Sequence, residues 1–421
     1  MGLTSCQQGA HDTFVDGEGH LTVSGPAGSG KTFLMKSILA SLNAKGKNVV
    51  MVAPTHQAKN VLHKMTGEDV TTIHSLLKIH PDTYEDQKHF KQAGEVEGLD
   101  EIDVLVVEEA SMIDDDLYDI MGKTMPRKTR ILGVGDKFQL QPVKHDPGVI
   151  SPMFTKFQTY EMHEVVRQAK DNPLIQVATE VRNGGWLRNN WSKELRQGVL
   201  RVPNVNKMLD TYLSKIKSPE DLLDYRILSY TNDCVDTFNG IIRESVYSTS
   251  EPFIPGEYLV TQMPVMMSNG KYPVCVIDNG EVVKILDVRQ IHVEGALPKV
   301  DNETFDVAVL TIEKDDGNVY EFNVLWDDVQ KERFQQYLSL AAGTYKSIRG
   351  NTKRYWRAFW GLKEQMIETK SLGASTTHKA QGCTVKGVCI YTQDMGYAEP
   401  EIVQQLAYVA LTRPTEWALY N

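Results

Sequence analysis

The sequence predicts an α/β protein whose first third forms a doubly wound parallel sheet. Two observations predict this fold class. A glycine-rich octapeptide, GPAGSGKT at 25–32, lies between an apolar strand-like run and an apolar helix-like run. Short β-branched runs then alternate with helix-like segments, and each run ends in a polar cluster, which is the pattern of βαβ units.

The predicted strands of this sheet are short and apolar, and they comprise residues 21–24, 49–53, 104–107 and 131–134. The predicted helix at 33–42 follows the first of them. Ligands of an open parallel sheet bind at the carboxyl ends of its strands. We therefore expect the polar clusters after these strands to share one cleft.

The octapeptide has the spacing of a phosphate-binding loop placed between a strand and a helix. In such a loop, backbone N–H groups turn inward around the β-phosphate, the lysine reaches the β- and γ-oxygens, and the hydroxyl ligates Mg²⁺. The sequence thus predicts a nucleoside triphosphate and Mg²⁺ as cofactors, held by Lys31 and Thr32. The predicted phosphate cradle consists of Gly25, Ala27, Gly28, Ser29 and Gly30.

Glu108 and Glu109 follow the strand at 104–107 and should reach the same sheet edge as Thr32. One carboxylate can hold Mg²⁺, directly or through water, and the other can orient and deprotonate the attacking water. Gln139, after the strand at 131–134, places an amide that can sense the γ-phosphate. Paired glutamates at a strand end are otherwise a solvated turn, and the neighbouring phosphate loop favours the catalytic interpretation.

Composition narrows the class of protein. A chain of 421 residues is more than one ordinary core holds, so two or three domains are expected. The net charge of −10 argues against coating nucleic acid through bulk charge but leaves a narrow basic groove open. No apolar run approaches the ~18 residues of a membrane span and no leader is visible, which predicts a cytoplasmic protein.

The five cysteines are scattered and include no C-x-x-C pair, so neither a disulfide framework nor a zinc site is predicted. They are expected to be reduced thiols.

A second sheet is predicted from the apolar runs 226–230, 388–391 and 417–420, which are not accompanied by a second phosphate loop. Between its pieces, alternating strands are predicted at 281–288, 305–309 and 323–326, with a hairpin turn at 315–318. A small β-barrel inserted in the second domain is the expected result.

A basic and aromatic segment follows the barrel. Its cations are Lys346, Arg349, Lys353, Arg354, Arg357 and Lys363, and its rings are Tyr345, Tyr355, Trp356, Phe359 and Trp360. Such a mixture suits single-stranded nucleic acid, because bases stack on rings while cations follow the phosphates. The helical spacing of residues 355, 356, 359 and 360 instead favours rings that pack inward, which would leave the cations available to DNA.

The polar clusters form an ordered set of motifs: GPAGSGKT (25–32), APTHQAKNVL (53–62), TTIHSLLKI (71–79), VVEEASM (106–112), GDKFQLQPV (135–143), EVVRQ (164–168), ASTTHKAQGCTVKG (374–387) and QQLAYVALTR (404–413). In this order they resemble the motifs of superfamily 1 helicases, specifically the 5′-to-3′, RecD-like branch, and within it a helicase of T-even phages. The resemblance covers essentially the whole chain.

The resemblance implies an α/β fold with two RecA-like motor domains on doubly wound parallel sheets, a small hairpin inserted in the first and an SH3-like β-barrel in the second. The first motor domain would span 1–170, with a pin hairpin at 78–99. The second would comprise 171–250 and 370–421, and the barrel with its bracing segment 251–369. ATP would lie between the motor domains.

The resemblance also implies site residues. Gln7 would read adenine, Glu108 would hold Mg²⁺, Glu109 would be the catalytic base, and Gly382 would belong to the nucleotide site. Gln139 would sense the γ-phosphate. Arg167 and Arg413 resemble the two arginines that neutralise transition-state charge from the far side of the cleft, although an arginine in isolation is usually a surface residue.

Glu108 is a departure, because the family normally has aspartate at this position. The extra methylene is either absorbed by coordination through water or weakens the metal site. We expect active hydrolysis with an altered requirement for Mg²⁺ or Mn²⁺.

The DNA contacts implied by the motifs are Thr55, His56, Thr72, His74, Thr377 and His378. Short hydroxyl and imidazole side chains on the sugar-phosphate backbone carry no base information, as a motor requires. A lone histidine is also commonly a packed core residue, so both interpretations stay open. Phe90 is the only phenylalanine of the polar stretch at 78–99, where it would either stack on the terminal base pair as a pin or anchor an ordinary loop.

Together these features predict a monomeric, Mg²⁺-ATP-driven helicase that moves 5′-to-3′ on single-stranded DNA and unwinds fork DNA in phage replication or recombination. It would act in the host cytoplasm, with a single-stranded-DNA-binding protein or replication proteins as candidate partners. Two alternatives remain: a translocase that strips proteins from DNA without unwinding, and a weakly hydrolysing, ATP-gated DNA-binding or loading factor.

Overall fold

Two compact units make up the chain in its computed structural model. The structure describes residues 2–84, 87–92, 96, 98–141, 149–166, 171–268 and 273–421, and for 80–84, 87–92, 268, 273 and 274 it describes the backbone alone. The first unit comprises Met1–Lys78, Gln92–Phe238 and Gly373–Asn421, and the second comprises Ile79–Lys91 and Asn239–Leu372.

The first unit contains a six-stranded sheet, counted over the described residues, in which all strand pairs are parallel. Numbered along the chain, its strands are β1 (Leu21–Ser24), β2 (Val49–Ala53), β3 (Val70–Thr72), β6 (Val104–Val107), β7 (Arg130–Gly135) and β8 (Gln158–Glu161). Their spatial order is β3-β2-β6-β7-β1-β8. Strand β1, which leads into the phosphate loop, therefore lies inside the sheet between β7 and β8.

The helices and 3-10 turns around this sheet are α1 (Ser5–Val15), α2 (Lys31–Ala44), α3 (His56–Thr66), α4 (Ile73–Leu76), α5 (Asp115–Thr124), α6 (Pro152–Thr155), Leu99–Glu101 and Ala110–Met112. Side-chain oxygens of Thr4, Thr55, Thr72 and Asp114 accept N–H bonds from the first turns of α1, α3, α4 and α5. Helix α2 differs, because it begins after Gly30, which has no side chain to cap it. Its first N–H groups are thus available to an anion.

A second sheet of the first unit has the spatial order β19-β11-β20-β21-β10-β9. Its strands are β9 (Asn190–Ser192), β10 (Gln197–Arg201), β11 (Tyr225–Ser229), β19 (Ala374–Thr376), β20 (Val385–Ile390) and β21 (Pro414–Tyr420). Only the edge pair β9–β10 is antiparallel within this described sheet. The elements around it are α7 (Pro173–Arg182), α8 (Val205–Lys215), α9 (Asn232–Tyr247), α12 (Pro400–Leu411) and the 3-10 turns Pro219–Leu223 and Gln393–Tyr397.

Each parallel sheet has its own apolar core. Val23, Met35 and Val106 are fully buried in the core of the first sheet. Val199 and Val388 are fully buried in that of the second, against the apolar half of α12. Strands buried on both faces are often continuous apolar runs, as β6 is, and such runs can be predicted from sequence.

The second unit contains a five-stranded sheet of described residues, antiparallel throughout, in the order β17-β16-β15-β12-β18. Its strands are β12 (Tyr258–Thr261), β15 (Val282–Gly295), β16 (Glu303–Glu313), β17 (Val319–Leu325) and β18 (Thr369–Ser371). The predicted turn at 315–318 is confirmed: Asp316 accepts the N–H of Asn318, and Gly317 has a φ of 79°.

Two hairpins and two helices complete this unit. The strands β13 (Val265–Ser268) and β14 (Pro273–Ile277) pair with each other, and so do β4 (Ile79–Tyr84) and β5 (Gln87–Gln92). The helices are α10 (Asp328–Ser347) and α11 (Lys353–Gln365). The stretch at 78–99 thus contains a hairpin, as one of its two interpretations requires.

The rings of α11 pack inward, as their spacing predicts. Tyr355, Trp356, Phe359 and Trp360 are buried in one cluster with α10. The cations at 353, 354 and 357 are exposed. In the described part of the chain, every helix is too short or too polar to cross a lipid bilayer.

Candidate nucleotide-binding site

The phosphate loop between β1 and α2 has the tight geometry that its glycines allow. Ser29 donates two hydrogen bonds to the carbonyl oxygen of Pro26, one from its backbone N–H at 3.2 Å and one from its hydroxyl at 2.8 Å. Gly28 and Gly30 both have a φ of 77°, in the left-handed region. A Cβ on Gly30 would also lie 2.5 Å from Nε2 of Gln7, so a larger residue there would displace the Gln7 amide.

Lys31 lies along this loop. Its Nζ donates to the carbonyl oxygens of Gly25 at 2.7 Å and Pro26 at 3.2 Å. Both acceptors are neutral, whereas triphosphate oxygens carry charge and form stronger hydrogen bonds with an ammonium group. The lysine is therefore positioned to exchange these carbonyls for phosphate.

Gln7 joins α1 to the phosphate loop. Its Oε1 accepts the N–H of Thr4 at 2.9 Å in a capping box, and its Nε2 donates to the carbonyl of Ser29 at 3.0 Å. The side chain is buried. The Gln7 amide thus links the start of α1 to the phosphate loop, a role that was not predicted from the sequence. Recognition of adenine by Gln7 stays a prediction.

Glu108 follows β6 and is half-buried, with the Oε2 atom of its carboxyl group buried. Its Oε2 has no hydrogen-bond partner among the residues that the structure describes. Burial, and secondarily the charge of Glu109, raise the pKa of Glu108 to about 8, while Lys31 opposes this shift. A cation beside this oxygen would satisfy it and favour the charged form.

Glu109 adopts a left-handed backbone conformation, with φ 51° and ψ 48°. This region is uncommon for a residue with a Cβ and is found where a site fixes a side chain in place. The conformation lies at the bend between β6 and the 3-10 turn Ala110–Met112.

One cavity collects the predicted metal and catalytic groups. Thr32, Glu108, Glu109 and Gly382 line it, together with four apolar residues of α3: Ala58, Val61, Leu62 and Met65. Mg²⁺ takes oxygen ligands, which the threonine hydroxyl and the unsatisfied carboxylate supply. The residues present fit a divalent metal ion.

The buried carboxyl group predicts a pH-dependent stability in the absence of metal. The folded pKa of Glu108, about 8, exceeds the ordinary value of 4.5, so protonation favours the folded state. The free energy of unfolding in EDTA should fall, on the order of a few kcal/mol, as pH rises from 5 through 8. Glu108→Gln should flatten this dependence in urea titrations at several pH values.

Glu101→Gln is the control, because Glu101 is exposed in the same sheet domain. It should keep the pH dependence of the wild-type protein. A Glu108→Gln variant as pH-dependent as the wild type would contradict the assignment.

Gln139 follows β7 and is buried, with its N–H donating to the carbonyl of Asp136 at 3.0 Å. Within the described ranges, its Oε1 has no partner. A buried amide oxygen without a partner is costly, which fits a group that meets a ligand. Sensing of the γ-phosphate stays a prediction.

Arg413 follows α12 and is buried. Its guanidinium donates to the carbonyl of Val409 at 3.1 Å, the hydroxyl of Thr412 at 2.7 Å and the carbonyl of Cys383 at 3.4 Å. These contacts hold it at the end of its own helix. Arg167, its predicted counterpart, lies outside the described residues.

Gly382 permits a close approach between the loop after β19 and helix α3. Its φ is 76°, and a Cβ would lie 2.9 Å from the Cβ of Ala58 and 3.3 Å from its backbone. The glycine therefore lets the loop at the end of one sheet reach a helix of the other.

Gly382→Ala should separate these elements. We expect a loss of roughly 1–3 kcal/mol in the free energy of unfolding, together with reduced ATP turnover, because the new methyl group clashes in a strained conformation. Gly240→Ala is the control: a Cβ at this position in α9 meets no described atom within 4 Å. Equal urea midpoints for both variants would contradict the close approach.

The threonines predicted to contact DNA have structural tasks. Thr55 and Thr72 cap α3 and α4 by accepting the N–H of Ala58 and Ser75, each at 3.2 Å. Thr377 is fully buried and donates its hydroxyl to the carbonyl of Ser229 at 3.3 Å. The buried position of Thr377 leaves its hydroxyl facing the protein.

The predicted histidines lie near these turns. Nε2 of His56, a buried residue, lies 2.9 Å from Nδ2 of Asn60. His378 packs against the ring of Tyr230, and burial lowers the pKa of His378. His74 is half-buried in α4. Phe90 lies on β5, and its side chain is outside the described residues.

Comparison with known proteins identifies the family. The Dda helicase SH3 domain matches residues 250–371, and an AAA domain matches residues 2–201. Over 410 residues the chain is 36% identical to the ATP-dependent DNA helicase dda of Enterobacteria phage T4, covering 94% of this chain and 92% of that protein. The chain belongs to the Dda helicase family.

More distant similarities agree with this family. The ATP-dependent RecD2 DNA helicase of Deinococcus radiodurans is 32% identical over 167 residues, which are 39% of this chain and 22% of that protein. The Bacteroides Pif1 helicase in complex with ADP-AlF3 and ssDNA has a TM-score of 0.53 at 19% identity, covering 100% of this chain and 92% of that one. These comparisons confirm the predicted α/β fold class, which has two RecA-like domains and an SH3-like insertion.

Three residues near the site were given no role in the sequence analysis. Asp136, Arg182 and Tyr408 form a buried hydrogen-bonded group beside the phosphate loop of this Dda family member. Asp136 and Tyr408 lie within the quoted motifs, and Tyr408 is the one polar residue in the stretch 406–411. A polar side chain inside an apolar helical run was the available signal.

Proposed function

We propose that the chain is an Mg²⁺-ATP-driven DNA helicase that moves 5′-to-3′ on single-stranded DNA and unwinds fork DNA. One observation carries the proposal: in a member of this family, Thr32, Glu108 and Glu109 line one cavity beside the phosphate loop. The protein would act as a monomer in the host cytoplasm during phage replication or recombination, with a single-stranded-DNA-binding protein or replication proteins as partners.

The chemistry of this cavity follows from the donor set. Lys31 and the N–H groups at the start of α2 would bind the phosphates. Thr32 and Glu108 would hold Mg²⁺, which neutralises phosphate charge when bound. Glu109, fixed by its backbone conformation, would orient and deprotonate the attacking water.

Motion would come from the two parallel sheets of the first unit. We infer motor domains at 1–170 and at 171–250 with 370–421, with the hairpin 78–99 and the barrel segment 251–369 as insertions. Gln139 would sense the γ-phosphate on one side, and Arg413 and Arg167 would neutralise transition-state charge from the other. Hydrolysis would then change how the motor domains pack.

The DNA strand would pass over the turns that follow the parallel strands. Thr55, His56, Thr72 and His74 would meet it from the first sheet, and His378 from the second. The buried Thr377 would hold the turn that carries His378, through its bond to the carbonyl of Ser229. Phe90, on β5, would separate the strands as a pin.

The first test is whether single-stranded DNA raises ATP turnover in Mg²⁺. A helicase should respond at least about tenfold, because its DNA track completes the active site. An ATP turnover that does not change when DNA is added would favour the alternative, an ATP-gated loading factor. The observation that supports this alternative is Glu108, which stands where the family normally has aspartate.

Glu108→Asp should shift the metal preference. The shorter carboxylate restores the usual family residue, so the ratio of turnover in Mg²⁺ to turnover in Mn²⁺ should change severalfold. The measurement is steady-state ATPase over a titration of each metal. An unchanged rate and metal dependence would remove the significance of the departure.

A further inference from the structure

A chain of hydrogen bonds runs from the phosphate loop to helix α12. The backbone N–H of Ala27 donates to the phenol oxygen of Tyr408 at 3.1 Å. The hydroxyl of Tyr408 in turn donates to Oδ2 of Asp136 at 2.6 Å. The phenol is therefore acceptor and donor at once, between the loop and a carboxylate.

The carboxylate at the end of this chain is fully buried and saturated with partners. Arg182 donates to Oδ1 of Asp136 at 3.2 Å and to Oδ2 at 3.3 Å, and the N–H of Phe138 donates to Oδ1 at 3.1 Å. The guanidinium of Arg182 also lies 4.1 Å from the centre of the Phe138 ring. Buried charges that are paired and hydrogen-bonded in this way hold one geometry.

The network connects the two parallel sheets of the first unit. Ala27 and Asp136 follow β1 and β7 of the first sheet, whereas Arg182 ends α7 and Tyr408 lies on α12 beside the second. Tyr408 and Asp136 are completely or almost completely buried. The bond between Tyr408 and Asp136 is therefore shielded from water.

The phenol remains protonated in this position. Burial and the charge of Asp136 raise the pKa of Tyr408 well above its ordinary value. The hydroxyl thus keeps its proton for Asp136 at any physiological pH.

Tyr408 lies near the C-terminal end of α12, five residues before Arg413, which follows the helix. A shift of α12 along the phosphate loop would move the guanidinium of Arg413 with it. The Ala27 bond is the direct link between that helix and the loop that would enclose the phosphates.

We propose that Tyr408 is a positioning residue that couples the phosphate loop to the Arg413-bearing end of α12, through Ala27 on one side and Asp136 with Arg182 on the other. Its hydroxyl sets the place of α12 when the loop binds phosphate. The proposal deepens the proposed ATPase function and rests on it.

The test is Tyr408→Phe in the full-length protein, measured by steady-state ATPase with and without single-stranded DNA. The variant keeps the ring and loses the hydroxyl. Its kcat should therefore fall about ten- to a hundredfold, both with and without single-stranded DNA. KM for ATP and the affinity for a fluorescent ATP analogue should stay within about twofold, because the ligand-binding groups are unchanged.

Tyr212→Phe is the matched control. Tyr212 is also a fully buried phenol, but its hydroxyl hydrogen is shared between the carbonyl oxygens of Tyr225, in β11, and Gly373, just before β19, each at 3.3 Å. Both variants lose stability in urea, whereas only Tyr408→Phe should lose kcat. Equal kcat values for the two variants would overturn the proposal.

Arg182→Gln provides a second route if Tyr408→Phe does not fold. Removing the guanidinium frees Asp136 from α7, so kcat should fall while KM is kept, as for Tyr408→Phe. An Arg182→Gln variant with wild-type kcat would also overturn the proposal. Failure of the proposed function is distinguishable, because it would appear in the wild-type protein as an absent response to DNA.

Discussion

Glu109→Gln is expected to lower DNA-stimulated ATP turnover at least about a hundredfold, the range typical of a lost general base. Glutamine has the same length and can adopt the same backbone conformation, so the left-handed bend at φ 51° should survive. Nucleotide binding should persist, because Lys31 and the phosphate loop are untouched. Single-turnover hydrolysis and analogue binding together measure both quantities.

Glu101→Gln, an exposed glutamate in the same domain, is the matched control and should keep full turnover. A Glu109→Gln variant within twofold of the wild type would transfer the role of base to another group. Glu108 would be the next candidate, because it lines the same cavity.

Arg413→Lys should reduce kcat on the order of a thousandfold, which is the effect of losing an arginine that neutralises phosphoryl-transfer charge. Lysine keeps the charge but lacks the planar set of donors that can contact phosphate and protein together. In this structure the guanidinium donates to Val409, Thr412 and Cys383. Catalysis would require some of these bonds to be exchanged for phosphate.

Arg201→Lys is the control for this substitution, since Arg201 is exposed at the end of β10. Turnover and urea midpoints should be measured for both variants. A normal kcat for Arg413→Lys would exclude the transition-state role, whereas a lowered urea midpoint with normal kcat would show a purely structural one.

Local patterns predicted the strands that are buried on both faces. The runs 21–24, 49–53 and 104–107 correspond to β1, β2 and β6 as found. Strands β2 and β6 are continuously apolar, as buried parallel strands commonly are, whereas β1 also buries Thr22 and Ser24. The partly polar strand β10 was missed, since its sequence QGVLR carries only a short apolar signal.

Strand β15 shows another limit of local patterns. The predicted strand ends at residue 288, but β15 continues to Gly295. Most side chains of this extension are exposed, and β16 holds it through the ladder that pairs Arg289 with Val309 and Val293 with Phe305. Pairing with a distant partner strand leaves no periodic apolar signal in the sequence.

The candidate site likewise has features that could be predicted from local sequence and contacts that could not. The phosphate loop and the two glutamates were predicted because a contiguous segment defines each of them. The bond between Ala27 and Tyr408 joins residues 381 positions apart, and the task of Gln7 at Ser29 depends on how α1 packs. Such contacts arise only when the sheets have formed.

The most direct test of the central claim is strand displacement in Mg²⁺-ATP on two matched DNA forks, one with a 5′ single-stranded tail and one with a 3′ tail. The account predicts displacement from the 5′-tailed fork alone, which would establish unwinding and polarity together. Displacement from the 3′-tailed fork alone would contradict the polarity. Displacement from neither fork, with removal of a protein bound to single-stranded DNA, would contradict unwinding and leave a translocase.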